Sequence, residues 1–291
     1  MPRTIDEGFR DFLKRLTPSS YESEAAKSHR HSIETRLKLD FGYVPRFTRI
    51  GSFGNGTSIS GYSDVDYLAC LPTDTLTKDS NYSLQKVRNS LDGRFPNTGV
   101  RVSCPAVVCP FGSTAVETTE VVPAFYSKES NGYKVYGIAD CYGGWMSASP
   151  DAHNEYVRGI DNRLSNKVKP LIRFIKAWRC FRQVPISSFY LELRVAKYAS
   201  SETSIIYDMD VKRVLCQLRD AGLADMQDQM GVSGYIRACK TQALKDDALS
   251  KLDTAATRAE KARDAAQKEN FADAFEYWRL LYNNEFPTYY R

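Results

Sequence analysis

Apolar residues recur at helical spacing at the start of the chain: Phe9, Phe12, Leu13 and Leu16 form one stripe, which predicts a helix over Ile5–Leu16. Residues 21–39 read as a second, longer helix with Arg and Glu on its wet face. From Phe47 the period shortens. Runs at 47–50, 65–71, 100–108 and 115–122 predict strands, the last two paired around Phe111, Gly112 and Ser113. A helix over 84–91 interrupts them, and Asn131-Gly132 is the dipeptide of a tight hairpin turn. Together these elements predict a mixed sheet with helices on one side, an α/β (α+β) lobe.

Beyond residue 150 the pattern is helical. Ser149 suits a cap and Pro150 the first turn, so a helix through 164 is expected. In the next helix Val168, Leu171, Ile172, Ile175 and Trp178 make a buried stripe, while Lys169, Arg173 and Lys176 recur on another face, the usual signature of a solvated basic edge. Residues 242–270, rich in Ala, Lys, Asp and Glu, read as a long, largely exposed helix, and Phe275, Trp278 and Leu281 supply apolar groups for docking back. No internal repeat or low-complexity linker is present, and the strongest boundary is the crossover at 137–150. Two regions are therefore expected: 1–149, an α/β core with N-terminal helices, and 150–291, a helical lobe.

Composition narrows the choice. The 291 residues, 42% hydrophobic and 26% charged, suit a globular protein with a substantial core. No apolar run approaches a membrane span and the first residues lack the apolar segment of a secretory signal, so a cytoplasmic protein with no membrane partner is expected. Seven cysteines without a Cys-x-x-Cys, and only three histidines, argue for reduced thiols and against a zinc module. Cys104 and Cys109 flank an apolar run and are expected to be packed strand residues. The net charge of +5 is spread among acidic residues rather than concentrated in a stripe, which favours a small anionic substrate over a polynucleotide.

The chemistry concentrates between Gly51 and Leu68. Residues two apart on a strand share a face, so Asp64 and Asp66 are expected side by side, with Val65 and Leu68 turned to the core. Two adjacent carboxylates repel unless cations intervene, and magnesium with triphosphate oxygens would supply that compensation. A turn at Gly51-Ser52 lets backbone N–H groups approach phosphate without a Cβ in the way, and the Ser52 hydroxyl adds a donor. An Asp-x-Asp in a polar loop is more commonly a turn or helix cap, and Asp208-Met209-Asp210 fits that reading, capping a helix that begins near Val211.

Gly51-Ser52, Asp64-Val65-Asp66 and an acidic residue three before Pro123, Glu120, resemble the signature of the DNA polymerase β-like nucleotidyltransferase superfamily. Many members carry Asp at the third position; here Glu120 is one methylene longer, and Glu117 on the opposite strand face is the alternative ligand. Gly143-Gly144-Trp145, Ser149-Pro150, Lys176-Ala177-Trp178 and the run Pro-Ile-Ser-Ser-Phe-Tyr-Leu-Glu ending at Glu192 are similar to the bacterial cGAS/DncV-like nucleotidyltransferases, the CD-NTases. The likeness runs from Phe47 to the final helices.

The resemblance implies a polymerase β-like lobe with a mixed sheet, followed by an oligoadenylate-synthase-like helical lobe, with the active site in the cleft between them. It implies two magnesium or manganese ions held by Asp64, Asp66 and Glu120, the last also serving or assisting as general base. Gly51 and Ser52 would orient the donor phosphates, Lys176 and Ser188 would hold the triphosphate tail, and Phe189 would stack on a nucleobase. The implied activity is synthesis of a cyclic di- or trinucleotide from nucleoside triphosphates with release of pyrophosphate, in CBASS antiphage signalling. A separate effector protein would read the product, nucleic acid would not be required, and a monomer is expected. A linear-product or template-independent transferase is the alternative enzyme. A nucleotide-binding module without turnover is a third reading, against which the intact carboxylates argue.

Overall fold

The computed structural model describes residues 2–21, 24, 27, 29–112 and 117–290. It divides into two compact units, one formed by Pro18–Glu155 and Met230–Ser233, the other by Met1–Thr17, Tyr156–Gln229 and Gly234–Arg291. In chain order the elements are helix α1 (Ile5–Leu16), helix α2 (Arg30–Phe41), strand β1 (Arg46–Ile50), a one-turn helix α3 (Gly51–Asn55), β2 (Val65–Cys70), α4 (Ser80–Arg94), β3 (Arg101–Ser103), β4 (Ala106–Pro110), β5 (Thr118–Ser130), β6 (Tyr133–Ala139) and β7 (Trp145–Ala148). The helices α5 (Pro150–Arg163), α6 (Val168–Phe181), α7 (Ser188–Ser200), α8 (Tyr207–Asp220), α9 (Gln242–Gln267) and α10 (Phe271–Leu281) follow.

In the first unit the sheet runs β1-β2-β5-β4-β3, with β6 on β5 and β7 on β6. Among the described residues every pairing in it is antiparallel except that of β2 with β5, so the sheet is mixed, as expected. The predicted strand at 100–108 is broken by Cys104-Pro105 into β3 and β4, which pair with each other. Of the predicted strand at 115–122, residues 115 and 116 lie outside the described residues, and from Thr118 it continues to Ser130 as the longest strand. Asn131 and Gly132 both take positive φ, 52° and 78°, closing the β5–β6 hairpin where the sequence placed it. Of the predicted helix over 21–39, residues 22, 23, 25, 26 and 28 lie outside the described residues; α2 occupies its second half.

Strand alternation sorts this core into two layers. Val65, Tyr67 and Ala69 of β2, Val107 and Cys109 of β4 and Val121 of β5 pack with Ile33, Leu37 and Phe41 of α2 and with Leu84, Val87 and Leu91 of α4. Fully burying each large apolar side chain contributes roughly 1.5–3 kcal/mol. Leu68 does not share this layer with Val65: three residues apart on a strand means opposite faces, and Leu68 joins Cys70, Ala124 and Tyr136 on the other side. Arg46 anchors the start of α5 to this second face. Its guanidinium donates twice to Asp151, at 2.5 and 2.7 Å, and lies 5.6 Å over the Tyr136 ring.

In the second unit α1 opens with a capping box, in which the Thr4 hydroxyl accepts from the Glu7 N–H and the Glu7 carboxylate accepts from the Thr4 N–H. Phe9 and Phe12 then enter an aromatic cluster with Phe174, Trp278, Tyr282 and Phe286. These contacts group the first seventeen residues with the helical unit rather than with the expected 1–149 region. The long helix α9 is not largely exposed either. Ala248, Leu252, Ala255, Ala256, Ala259 and Ala262 are buried, because small side chains at helical spacing give neighbouring helices a close seam that charge counting overlooks. Phe275, Trp278 and Leu281 of α10 are buried as expected. No described helix is long and apolar enough to cross a membrane.

The expectation of reduced thiols fails at one pair. Cys104, in the β3–β4 turn, is bonded to Cys141, in the β6–β7 loop, with the Cα atoms 5.6 Å apart. The turn that breaks the predicted strand brings the two together, which spacing along the chain does not reveal. Cys109 is a packed strand residue, and burial pushes its thiol up to about 12.

Two measurements test these contacts. The Arg46 hydrogen bonds hold the Asp151 carboxyl below its ordinary value. Their contribution is therefore complete above the unfolded pKa of about 4 and is lost as pH falls through the lower folded value. Melting curves of wild type and Asp151→Asn should differ at neutral pH and converge once the solution is acid enough to protonate the folded carboxyl; a constant separation would exclude the pairing. The Cys104–Cys141 bridge spans 37 residues. Reduction should cost the sheet unit up to about 4 kcal/mol, seen as a lower melting temperature with dithiothreitol that Cys141→Ser reproduces and dithiothreitol then leaves unchanged. Equal melting with and without reductant would show the thiols unpaired.

Candidate active site

The parallel pairing of β2 with β5 sets Asp66 opposite Glu120 in register, with Val65 opposite Thr119 and Tyr67 opposite Val121. Val65, Tyr67 and Val121 face the helix-covered layer, so Asp66 and Glu120 fall on the opposite face, at the end of β2 and β5 where Leu68, Cys70 and Ala124 continue the same rows. Asp64 stands one residue before β2, and all three carboxylates are partly buried.

Glu117 is elsewhere. It lies against Gly112, where a Cβ would collide with its carboxylate, and close enough to His29 to oppose the lowering of that imidazole by burial. His29 is itself stacked on Phe111 at 3.7 Å between ring centroids. Geometry therefore separates the two candidates for the third position: Glu120 is beside Asp66, and Glu117 belongs to the His29–Phe111 corner.

Gly51 and Ser52 do not form a simple turn but open the one-turn helix α3 directly after β1, with Gly51 at φ +60°. A Cβ on Gly51 would come within 2.7 Å of Asp66 Cγ, so only glycine allows the backbone this close to the carboxylate. The sequence pointed to the absent Cβ but not to this partner. The loop from Gly56 to Asp64 is pinned internally. The Thr57 N–H donates to the Ser52 carbonyl at 2.8 Å, the Ile59 N–H to Ser63 Oγ at 2.8 Å, and the Ser63 N–H returns to the Ile59 carbonyl at 3.1 Å. The residue just before Asp64 thus fixes where that carboxylate leaves the loop.

The helical unit holds the other candidates. Lys176 is 3% exposed and its ammonium lies 3.6 Å from the Glu192 carboxylate. The predicted solvated basic edge is therefore withdrawn from water at Lys176 and partly so at Arg173, whose guanidinium burial pulls below its ordinary value while Asp161 opposes the shift. Ser187 caps α7 by accepting from the Tyr190 N–H, and Ser188 is the first helical residue. Glu192 lies four residues on, hence one turn along the same face as Ser188. The Phe189-Tyr190 pair divides: Tyr190 is fully buried, its hydroxyl donating to the Ala224 carbonyl at 2.7 Å, whereas Phe189 is 40% exposed. The Asp208/Asp210 pair is structural. Asp210 accepts from the Ile206 N–H and the Tyr198 hydroxyl, and Asp208 pairs with Arg263, at the start of a helix that opens at Tyr207.

Among the described residues no three His, Cys, Asp or Glu side chains are gathered to enclose a metal ion on their own. Hard carboxylate oxygens on one sheet face, with Gly51 leaving the approach to Asp66 clear, fit a different case. Magnesium keeps several waters and is bound through one or two carboxylates plus substrate phosphates, not by an all-protein cage.

Residues 3–160 match the model of the Second Messenger Oligonucleotide or Dinucleotide Synthetase domain. A cyclic AMP-AMP-AMP synthase of an Acinetobacter strain is 24% identical over a 306-residue alignment covering 98% of this chain and 86% of the relative. A probable cyclic nucleotide synthase of Bacillus cereus is 25% identical, covering 81% of this chain and 75% of its own. Among solved structures, Escherichia coli MS115-1 CdnC with ATP superposes with a TM-score of 0.74 at 18% identity over 97% of this chain and 98% of that one. Vibrio cholerae DncV cyclic AMP-GMP synthase does so at 0.63 and 14%, over 98% and 88%. With more than half of its length inside the domain model and the same fold throughout, the chain belongs to the Second Messenger Oligonucleotide or Dinucleotide Synthetase family.

Proposed function

We propose that this protein joins nucleoside triphosphates into a cyclic di- or trinucleotide, releasing pyrophosphate at each step, and that its product serves antiphage signalling through a separate effector. The observation that carries this reading is the in-register placement of Asp66 beside Glu120, with Gly51 against Asp66. Membership of a synthetase family and the likeness to a cyclic AMP-AMP-AMP synthase support it.

Two divalent ions, magnesium or manganese, bound with the triphosphate at Asp64, Asp66 and Glu120, would neutralise phosphate charge and acidify the attacking ribose hydroxyl. Asp64 and Asp66 supply the anionic oxygens that would hold those cations, and only through them the donor, at this sheet face. The N–H groups of α3 and the Ser52 hydroxyl orient its β- and γ-phosphates, because the Gly51 backbone is unshielded there. The acceptor hydroxyl oxygen bonds to the α-phosphorus, the bond to the pyrophosphate oxygen breaks, and the hydroxyl proton passes to Glu120 or to water beside it. Lys176 and Ser188 bind the triphosphate tail, and the exposed Phe189 ring stacks on a base. A later transfer in which the growing chain is both donor and acceptor closes the ring.

Incubation with the four triphosphates and magnesium, without primer, should yield a labelled product that survives phosphatase. Products that lose their terminal phosphates would point to the linear synthase instead, and absence of any product to a binding module. Asp64→Asn and Asp66→Asn should each lower the rate by about 100- to 1000-fold without changing the melting temperature, the scale of loss expected when charge stabilisation at the reacting phosphate is removed. Glu120→Gln should fall in the same class while Glu117→Gln retains activity; the reverse order would move the third carboxylate to Glu117. Gly51→Ala should disable turnover through Asp66 alone, and an active Gly51→Ala enzyme would contradict the close approach.

A further inference from the structure

The row that pairs Asp66 with Glu120 continues across the sheet. Glu120 stands opposite Val108 of β4, and Val108 opposite Arg101 of β3. Ladder partners share a face, and Val102, the neighbour of Arg101, packs against the helix-covered layer, so Arg101 stands on the carboxylate face. In the other direction the row ends at Ile50, directly before Gly51 and α3. The order across the sheet is therefore α3, Asp66, Glu120 and, two strand spacings or roughly 10 Å beyond, Arg101.

Along the path from β1 to β3, two arginines occupy this face. Arg46 is committed to Asp151, whereas Arg101 is exposed and, among the described residues, has no hydrogen-bond or ion-pair partner. A charged residue on an edge strand also deters sheets from joining edge to edge. That role asks only for a charge. It does not account for how firmly this three-residue strand is set. The Arg88 guanidinium donates to the carbonyl of Val100, just before it, at 3.2 Å, and the bridge to Cys141 ties Cys104, just after it. A free guanidinium is thereby held in register with Asp66 and Glu120.

Resting on the reading of Asp64, Asp66 and Glu120 as the transfer site, we propose that Arg101 binds the phosphate tail of the acceptor nucleotide. In that reading the donor phosphates lie on the α3 side of the row and the attacking hydroxyl lies beside Glu120. An acceptor whose hydroxyl meets Glu120 then extends over β4 and β3, a span that one nucleotide bridges from its ribose hydroxyl to its phosphates. The acceptor brings a second triphosphate, whose charge needs a cation of its own. Arginine suits it, because the planar guanidinium fork takes two phosphate oxygens at once. The contact also has a consequence for the product. An acceptor chosen by its phosphate tail yields a linear intermediate that still carries the triphosphate from which ring closure displaces pyrophosphate.

The test separates donor from acceptor in the full chain, with the pair of bases that wild type couples best. The donor is a dideoxynucleoside triphosphate, which has no ribose hydroxyl to attack with. The acceptor is either an α,β-methylene nucleoside triphosphate, which cannot release pyrophosphate, or the same nucleoside without phosphates. Arg101→Gln should raise KM for the triphosphate acceptor by about 10- to 100-fold, the loss of one hydrogen-bonded contact between charged groups. The donor KM, the KM for the bare nucleoside and the melting temperature should stay as in wild type, because only the tail contact is removed. Arg101→Lys, which keeps the charge without the fork, should recover part of the loss.

An unchanged KM for the triphosphate acceptor in Arg101→Gln, with coupling intact, reduces Arg101 to a solvated edge residue. A rise in the donor KM instead assigns it to the donor's phosphates, and equal rises for both acceptors show that it meets the base or the ribose. Each of these overturns the proposal while the transfer site stands. Failure of wild type to couple any pair of bases overturns the transfer reading itself, and this proposal with it.

Discussion

One pairing determines the rest: the parallel ladder between β2 and β5. Among the described residues it is the sole parallel contact in the sheet, and it joins two segments more than fifty positions apart in sequence, in a register that sets Asp66 against Glu120. The register is not arbitrary. A slip of one residue would turn Val65, Tyr67 and Val121 away from α2 and α4 and bring carboxylates into the apolar layer. The same hydrophobic alternation that builds the core thus fixes the spacing of the acidic groups, and the energy that holds them side by side comes from the buried face beneath.

Around that ladder the local devices are inexpensive. Gly51 contributes by lacking a Cβ, and Ser63 closes the loop that delivers Asp64 with one side-chain acceptor and one backbone donor. Arg46 ties β1 to the first turn of α5 on the same sheet face, through Asp151. None of these is a large stabilising term, yet each removes freedom where a reacting phosphate would need a fixed frame.

Much of this was legible in the residues themselves, and the failures have physical causes. The two carboxylates, the glycine and the hairpin at Asn131-Gly132 announce themselves through local rules of strand period and allowed φ. Leu68 was assigned to the wrong layer because a buried residue was equated with the main core, although the period of two sends it to the other side. The exposed reading of α9 weighted charge and neglected alanine, whose small size makes a seam only when another helix arrives. Cys104 and Cys141 meet through a turn and a loop that no periodicity encodes, and Glu192 is paired with a lysine on another helix. Contacts made by tertiary approach were the ones the sequence withheld. Geometry also separated Glu120 from Glu117, two residues of one type three positions apart that composition treats alike.

The charge pattern has a consistent meaning across both units. The modest net charge of +5 is spread along the sequence rather than gathered in a run; of its cations, Lys176 is withdrawn from water and Arg173 half-buried on one helix. Cations held in this way suit a compact, highly charged ligand better than a long polyanion, which is gripped by many exposed side chains. The most direct test of the carboxylate pair is anomalous diffraction from crystals grown with manganese and a non-hydrolysable triphosphate. The arrangement predicts a manganese peak within about 2–2.3 Å of oxygens from both Asp66 and Glu120 and touching the triphosphate. A peak remote from these two residues, or bound triphosphate with neither carboxylate near it, would contradict it.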